Sequence, residues 1–250
     1  MVYKTENDKG ERISKIIARC GHCSRREAEQ LIKDGCVKVN GKVINSPAIN
    51  ITDESIKINN KLINKREKTR LWIFHKPKGS VVSTETDKKI PTVFDLLPKK
   101  MPRVMAVGRL DINTEGLLLF TNNGELSNYI GSPKTAWTRH YRVRVFGKLN
   151  KARFEKIGKS GIIIDGIKYK PTKIVVDKEG DGANSWLKVS ITEGKNREVK
   201  NILGELGLKV TRLIRTGFGP FHLGNLEVGM IKEVPMKTLK EVIGDNIVLE

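Results

Sequence analysis

Residues 108–124 read Gly108-Arg109-Leu110-Asp111-Ile112-Asn113-Thr114-Glu115-Gly116-Leu117-Leu118-Leu119-Phe120-Thr121-Asn122-Asn123-Gly124. Leu117 to Phe120 is a short unbroken apolar run, bounded by Gly116 on one side and by the Asn123-Gly124 pair on the other. That pattern predicts a buried strand closed by a hairpin-type turn. Asp111 then lies just outside the rigid element, with the Arg109 guanidinium two residues away. Taken alone, an Arg-x-Asp of this kind suits a turn cap or a local ion pair as well as it suits a catalytic carboxylate.

Composition bears on that choice. The 250 residues carry 47 Lys+Arg against 28 Asp+Glu, a formal net charge of +19. Residues 1–70 contain 16 basic and 9 acidic side chains, or +7, leaving 31 against 19, or +12, for residues 71–250. Basic charge over both parts points to a polyanion lying across the whole molecule, most simply RNA or DNA. No apolar run reaches the ~18–20 residues of a membrane span, and residues 1–12 lack a signal-peptide core, so a cytoplasmic location is expected. Three cysteines make no disulfide framework. Cys20-Gly21-His22-Cys23 with Cys36 could offer ligands to zinc, but a single Cys-x-x-Cys is better explained by small residues at helix ends, and no metal is expected.

The N-terminal part reads as a compact helical module. Ile13, Ile16 and Ile17 share one helical face and Gly21 follows as a stop. Ser24 and Glu27 have the spacing of a capping box, Ala28, Leu31 and Ile32 supply the apolar face, and Gly35 ends the second helix. Val37 and Val39 then alternate with Lys38, Asn40-Gly41 signals a two-residue turn, and Val43-Ile44 returns. Arg12, Lys15, Arg19, Arg25, Arg26 and Lys33 fall on polar faces. Residues 59–70 are polar and lysine-rich and read as a linker.

From Leu71 the pattern changes to short strands: 71–74, 81–82, 104–107, 117–120, 141–146, 162–164, 174–176 and 186–191. Helical stretches are expected around 154–157 and over 198–206. Connections too short for repeated parallel crossovers predict an α+β class with a largely antiparallel mixed sheet. Phosphate loops, nucleophile elbows and dinucleotide fingerprints are lacking, and the four histidines, His22, His75, His140 and His222, form no paired metal motif. The chemistry therefore falls to a carboxylate and basic groups.

Two resemblances organise these readings. Cys23 to Ile32 followed by Gly35-Cys36-Val37-Lys38-Val39-Asn40-Gly41 resembles an S4 RNA-binding domain, over residues 10–58. The resemblance implies RNA held mainly through phosphates by the second helix and the adjoining loop, with affinity that falls as salt rises, and Arg12, Lys15, Arg25, Arg26 and Lys33 are the candidate RNA-binding residues. His75-Lys76-Pro77-Lys78-Gly79, Val107 to Asp111 with Thr114 to Leu119, Tyr141 to Val145, Glu193 to Lys200, Thr211 to Arg215 and Gly219 to Phe221 resemble the ribosomal RNA pseudouridine synthases of the RsuA/RluB family, closest to RluB-like members. The corresponding catalytic domain spans residues 71–238.

That resemblance implies isomerisation of a uridine in ribosomal RNA, most simply the large-subunit 23S RNA, by a monomer needing no cofactor and no nucleotide. Small-subunit 16S RNA as substrate, or a non-catalytic assembly factor that binds ribosomal RNA, are the alternatives. The resemblance also assigns roles: Asp111 as the catalytic carboxylate, Tyr141 stacked on the uracil, and Lys195 as the basic group that pairs with Asp111 and orients it. Arg109 would manage the flipped nucleotide, and Arg197 and Lys200 would contact RNA. One departure is visible, since many relatives have Thr-Asn-Asp-Gly where this chain has Thr121-Asn122-Asn123-Gly124.

Overall fold

A computed structural model describes residues 10–63, 67–84, 89–180 and 184–249. The N-terminal module follows the sequence closely. Helix α1 (Ile13–Arg19) buries Ile13, Ile16 and Ile17, and helix α2 (Arg25–Lys33) buries Ala28 and Ile32 against them. The capping box forms in full: the Ser24 hydroxyl accepts from the Glu27 amide, and the Glu27 carboxylate accepts from the Ser24 amide. Strand Val37–Val39 pairs with Lys42–Val43 and with Ile56–Ile58. The sheet continues one strand further than the sequence suggests. Asn59 and Asn60, both at positive φ, turn the chain so that Lys61–Leu62 pairs back on Ile56–Ile58. Part of the stretch read as a linker thus belongs to the module.

The larger unit is built on one twisted sheet. In chain order its principal strands are β1 (Leu71–Lys76), β2 (Thr114–Thr121), β3 (Arg139–Phe146), β4 (Lys173–Glu179), β5 (Asn184–Ile191), β6 (Lys209–Phe218) and β7 (Ile231–Glu233). Their spatial order is β4-β5-β3-β6-β2-β1-β7. Every neighbouring pair is antiparallel except β6 and β2, which run parallel over Leu213↔Thr114, Ile214↔Glu115 and Arg215↔Gly116. The α+β class with a largely antiparallel mixed sheet therefore holds.

All eight residues of β2 are buried, because both faces of this central strand are covered. Leu117 and Leu119 face Leu126 and Ile130 of α3 (Gly124–Gly131) and Leu239 and Ile243 of α6 (Met236–Ile243). Leu118 and Phe120 face the other way, onto Trp72, Phe74, Val93 and Leu110. An unbroken apolar run, rather than an alternating one, is what such two-sided burial requires. On the other half of the sheet, Tyr141, Val143, Val145, Leu187 and Val189 pack under α4 (Lys151–Ser160) and α5 (Glu198–Glu205).

The Asn123-Gly124 pair does not make a hairpin. Asn123 caps α3, its side-chain oxygen accepting from the amides of Glu125 and Leu126 while its Nδ2 donates to Thr69 Oγ1. Asn123 thus serves both as a cap and as a donor, which an ionised Asp could not do. Helices α3 and α6 and strands β6 and β7 lie where the sequence pattern predicts no regular structure.

Candidate active site

The loop between Ala106 and Thr114 delivers Asp111 to one end of β2. Three contacts fix it. Leu110 is buried in the core beside Phe120, the Thr114 amide donates to the Asp111 carbonyl at 2.9 Å, and the Gly79 amide donates to the Ile112 carbonyl at 2.8 Å. Beneath the loop, the wholly buried Lys76 spends its ammonium on three carbonyls: Pro77 at 3.0 Å, Ile112 at 3.3 Å and Thr114 at 3.0 Å. Burial pushes the Lys76 amine down to about 8, with Asp111 and Glu115 opposing the shift. The His75-Lys76-Pro77-Lys78-Gly79 block is therefore a clamp on the loop that carries the acid.

Asp111 faces a cavity of about 210 Å³ whose walls include Arg109, Tyr141, Lys195, Arg197, Glu198 and Arg215. Tyr141 projects from β3, opposite Arg215 of β6 and Val189 of β5, so its ring is set by cross-strand register. Arg109 and Arg197 are exposed at the cavity. Arg197 adopts a left-handed φ of 52° at the N-cap of α5 and turns the chain into that helix.

The amine that meets Asp111 is not Lys195. Lys200 Nζ donates to Asp111 Oδ2 at 2.7 Å, with the lysine 17% and the aspartate 34% exposed. Lys195 instead lies over the Tyr169 ring, pairs with Glu193 and donates to the Lys168 carbonyl. The local fold explains the exchange. The segment up to Arg197 is a loop whose cation folds back on its own neighbours, whereas Lys200 is in the first turn of α5 and is carried rigidly towards the aspartate. Lys200, expected from the resemblance to contact RNA, has its ammonium on Asp111 here.

A second correction concerns Lys15. Its ammonium is half-buried between the carboxylates of Glu11 and Glu125, the latter in the first turn of α3. It joins the small module to the larger unit and is already neutralised. Arg12, Arg25, Arg26 and Lys33 are exposed and keep their charge available. The three cysteines sit at the ends of α1 and α2, Cys20 and Cys23 against the module's core. Among the described residues no group of His, Cys, Asp or Glu is arranged to hold a metal ion, and no helix is long and apolar enough to cross a membrane.

Sequence reasoning gave no role to Arg215 or Glu198, both 3% exposed. Arg215 Nε donates to the Leu117 carbonyl at 2.8 Å, and its guanidinium lies 5.1 Å from the Phe218 ring. Glu198 Oε2 accepts from the Lys195 amide at 2.8 Å. Burial, reinforced by the nearby Glu193 carboxylate, pushes the Glu198 acid up to about 7. In the unfolded chain it titrates near 4.5. Between these values the native state holds a proton that the unfolded state has lost, so this group lowers stability as pH rises from about 4.5 to about 7. Glu198→Gln is expected to flatten that part of the curve, read as the urea midpoint of the full chain between pH 5 and 8. A slope unchanged by the substitution would refute it.

With this geometry in place, comparison with known proteins defines the chain. Residues 70–204 match the RNA pseudouridylate synthase family and residues 11–57 match the S4 domain. An uncharacterized RNA pseudouridine synthase of Rickettsia typhi is 42% identical over 237 residues, covering 94% of this chain and 96% of that one. The ribosomal large subunit pseudouridine synthase B of Escherichia coli is 40% identical over 221 residues, covering 85% and 75% respectively. A crystal structure of a pseudouridylate synthase aligns with a TM-score of 0.64 at 26% identity, over 93% of this chain and all of the other. The chain belongs to the RNA pseudouridine synthase family and is an isomerase with an N-terminal S4 domain.

Proposed function

We propose that this enzyme converts a uridine of large-subunit ribosomal RNA to pseudouridine, with Asp111 as the catalytic carboxylate. The observation that carries the reading is Asp111, paired with Lys200, at the wall of a cavity that Tyr141 also lines. The reaction breaks the bond between ribose C1′ and uracil N1 and forms one between C1′ and C5. C5 gives up a proton and N1 gains one, so atoms and electrons balance with no redox partner. A fixed carboxylate can serve such a reaction as a nucleophile toward ribose or base, or as a base toward a sugar proton.

Each group in or around the cavity then has a task. Lys200 keeps one oxygen of Asp111 in place while Oδ1 is left for the substrate. Tyr141 offers its ring as a stacking surface for the uracil. Arg109, exposed at the rim, is placed to fill the space or hold the phosphate of the nucleotide that leaves its stack, a displacement that costs a few kcal/mol. Exposed Arg12, Arg25, Arg26 and Lys33 make the S4 domain an anchor for RNA phosphates, an electrostatic attachment that weakens with salt. The large-subunit target is supported by the identity shared with the Escherichia coli relative.

The test is a map of pseudouridines in ribosomal RNA from cells with and without this gene, read as carbodiimide-dependent stops of reverse transcriptase. One or more stops in large-subunit RNA should vanish with the gene and return when it is restored. An unchanged map in both subunits' RNA would overturn the assignment, and a loss confined to small-subunit RNA would reassign the substrate.

A further inference from the structure

Among the described residues, half of one face of the central sheet is covered by no helix. Helices α3 and α6 pack on the face of β2 that carries Leu117 and Leu119, while α4 and α5 pack on the opposite face of β3 and β5. Past β6 the first of these faces lies open across β3, β5 and β4. Register joins the two halves: Arg142 of β3 is opposite Ile214 of β6, and Ile214 is opposite Glu115 of β2. Along β3 the side chains alternate. Tyr141, Val143 and Val145 are buried, whereas Arg142, Arg144 and Phe146 are exposed. Tyr141 thus lines the catalytic cavity while its neighbour Arg142 stands on the reverse of the sheet.

The open half-face is rich in cations and aromatic rings. Register sets Arg142 beside Lys188, Arg144 beside both Trp186 and Arg212, and Phe146 beside Lys209. Lys173 adds a cation on the edge strand β4. Two carboxylates share the face, and both are occupied: Asp177 pairs with Arg142 and Lys188, and Glu115 with Arg212. No ion pair engages Arg144, Lys173 or Lys209 among the described residues. The Arg142 guanidinium lies 4.5 Å from the centre of the Trp186 ring, and Phe146 leaves 51% of its surface exposed. Crowded cations repel one another, and exposed rings leave apolar surface in water. A ligand that is both polyanionic and flat relieves both costs. RNA is such a ligand, with phosphates for the cations and bases for the rings, and open sheets that carry aromatic side chains are a general means of holding unpaired bases.

We propose that this half-face is a second RNA-binding surface, on which an unpaired stretch of the substrate RNA lays its phosphates on Arg144 and Lys173 and a base on Trp186. The proposal rests on the RNA-modifying reading above for the identity of the ligand and goes beyond it in the place. Because the surface lies on the reverse of the sheet from Tyr141, it contributes affinity and takes no part in the chemistry. RNA that reaches both sites passes round an edge of the sheet.

The experiment uses the full chain, with fluorescein-labelled single-stranded decauridylate as the binding probe and a large-subunit ribosomal RNA transcript for the reaction. The double variant Arg144→Ala/Lys173→Ala should weaken decauridylate binding about tenfold near 0.1 M salt and make log K against log salt shallower by roughly 1.4, two phosphate contacts at about 0.7 each. Trp186→Ala should weaken binding by about tenfold, while Trp186→Phe, which keeps a flat ring, should stay within about threefold of the wild type. At saturating RNA all of these variants should form pseudouridine at the wild-type single-turnover rate. Lys156→Ala/Lys159→Ala removes the same charge from exposed positions on α4, on the covered side of the sheet, and should bind within about threefold of the wild type. If Trp186→Ala fails to fold, the double variant decides, since both of its side chains are exposed. An unchanged affinity and salt slope in that variant would overturn the proposal in favour of a protein partner for this face. Equal losses in the α4 control would overturn it by reducing the effect to net charge. Both outcomes leave the pseudouridine synthase reading intact, whereas absence of pseudouridine with the wild-type enzyme would overturn that reading and with it the substrate RNA named here.

Discussion

Asp111→Asn is expected to abolish pseudouridine formation, with a rate loss of at least ~10³-fold, while RNA affinity stays the same or tightens slightly. The substitution keeps size and planarity. The Asn side-chain oxygen can still accept from Lys200, so the loop that presents it should not move, and Leu110, Thr114 and Lys76 continue to anchor the segment. What disappears is the negative oxygen itself, the one feature that nucleophilic attack and proton removal both require. The removal of one negative charge beside a polyanion can only favour binding. Single-turnover assays on ribosomal RNA, with filter binding in parallel, separate the two effects. Retention of wild-type activity would remove Asp111 from the chemistry.

The second large effect concerns stability. Gly116 has a φ of 103°, and a Cβ built there would lie 2.2 Å from the Arg215 carbonyl oxygen and 2.7 Å from its amide nitrogen. The obstacle is backbone, in the only parallel pairing of the principal strands. Gly116→Ala therefore has to separate β2 from β6 as well as adopt a disfavoured backbone region, and should cost roughly 3 kcal/mol or more. Gly108→Ala provides the control: its φ of 73° is equally unusual for alanine, but nothing lies within 4 Å of the new methyl group. It should cost about 1 kcal/mol. Urea denaturation of the two variants measures the contrast, and equal midpoints would show that backbone proximity at Gly116 is unimportant.

The parts of the fold that could be read from sequence are those specified by short-range chemistry. The capping box at Ser24 and Glu27, the glycine stop at Gly35, the Asn40-Gly41 turn and the apolar run of β2 all depend on neighbours within a few residues. Elements specified by distant contacts were harder to see. Strand β6 carries Lys209, Arg212 and Arg215 among its apolar residues with no period-2 alternation, a pattern that looks solvated until the bidentate partner of Arg212, Glu115, and the enclosing core around Arg215 are known. Helix α3 was hidden by an asparagine that fits a turn and a cap equally well, although Leu126 and Ile130 at helical spacing carried a signal.

The site divides along the same line. Asp111 and Tyr141 stand in distinctive motifs and share the cavity. The basic partner was misplaced by five positions within one motif, because Lys195 and Lys200 are alike in type and differ only in whether loop or helix carries them. Arg215 and Glu198 could not be found without burial. A charged side chain with 3% of its surface exposed is indistinguishable, in a sequence, from one on the surface.

The parallel seam between β2 and β6 has a further consequence. Asp111 is supported by the cores on either side of β2, whereas Tyr141 and Lys200 belong to the layer formed by β3, β6 and α5. Acid and amine are thus mounted on two separate plates that meet along three residue pairs. A slip of one residue along that join would displace one plate by about 3.3 Å, which exceeds the 2.7 Å separation of Lys200 and Asp111. It would also turn every side chain of the slipped strand to the opposite face. Alignment of the reactive groups is therefore a digital property of the fold: it is either in register or lost, and Gly116 is the tooth that allows the two plates to engage.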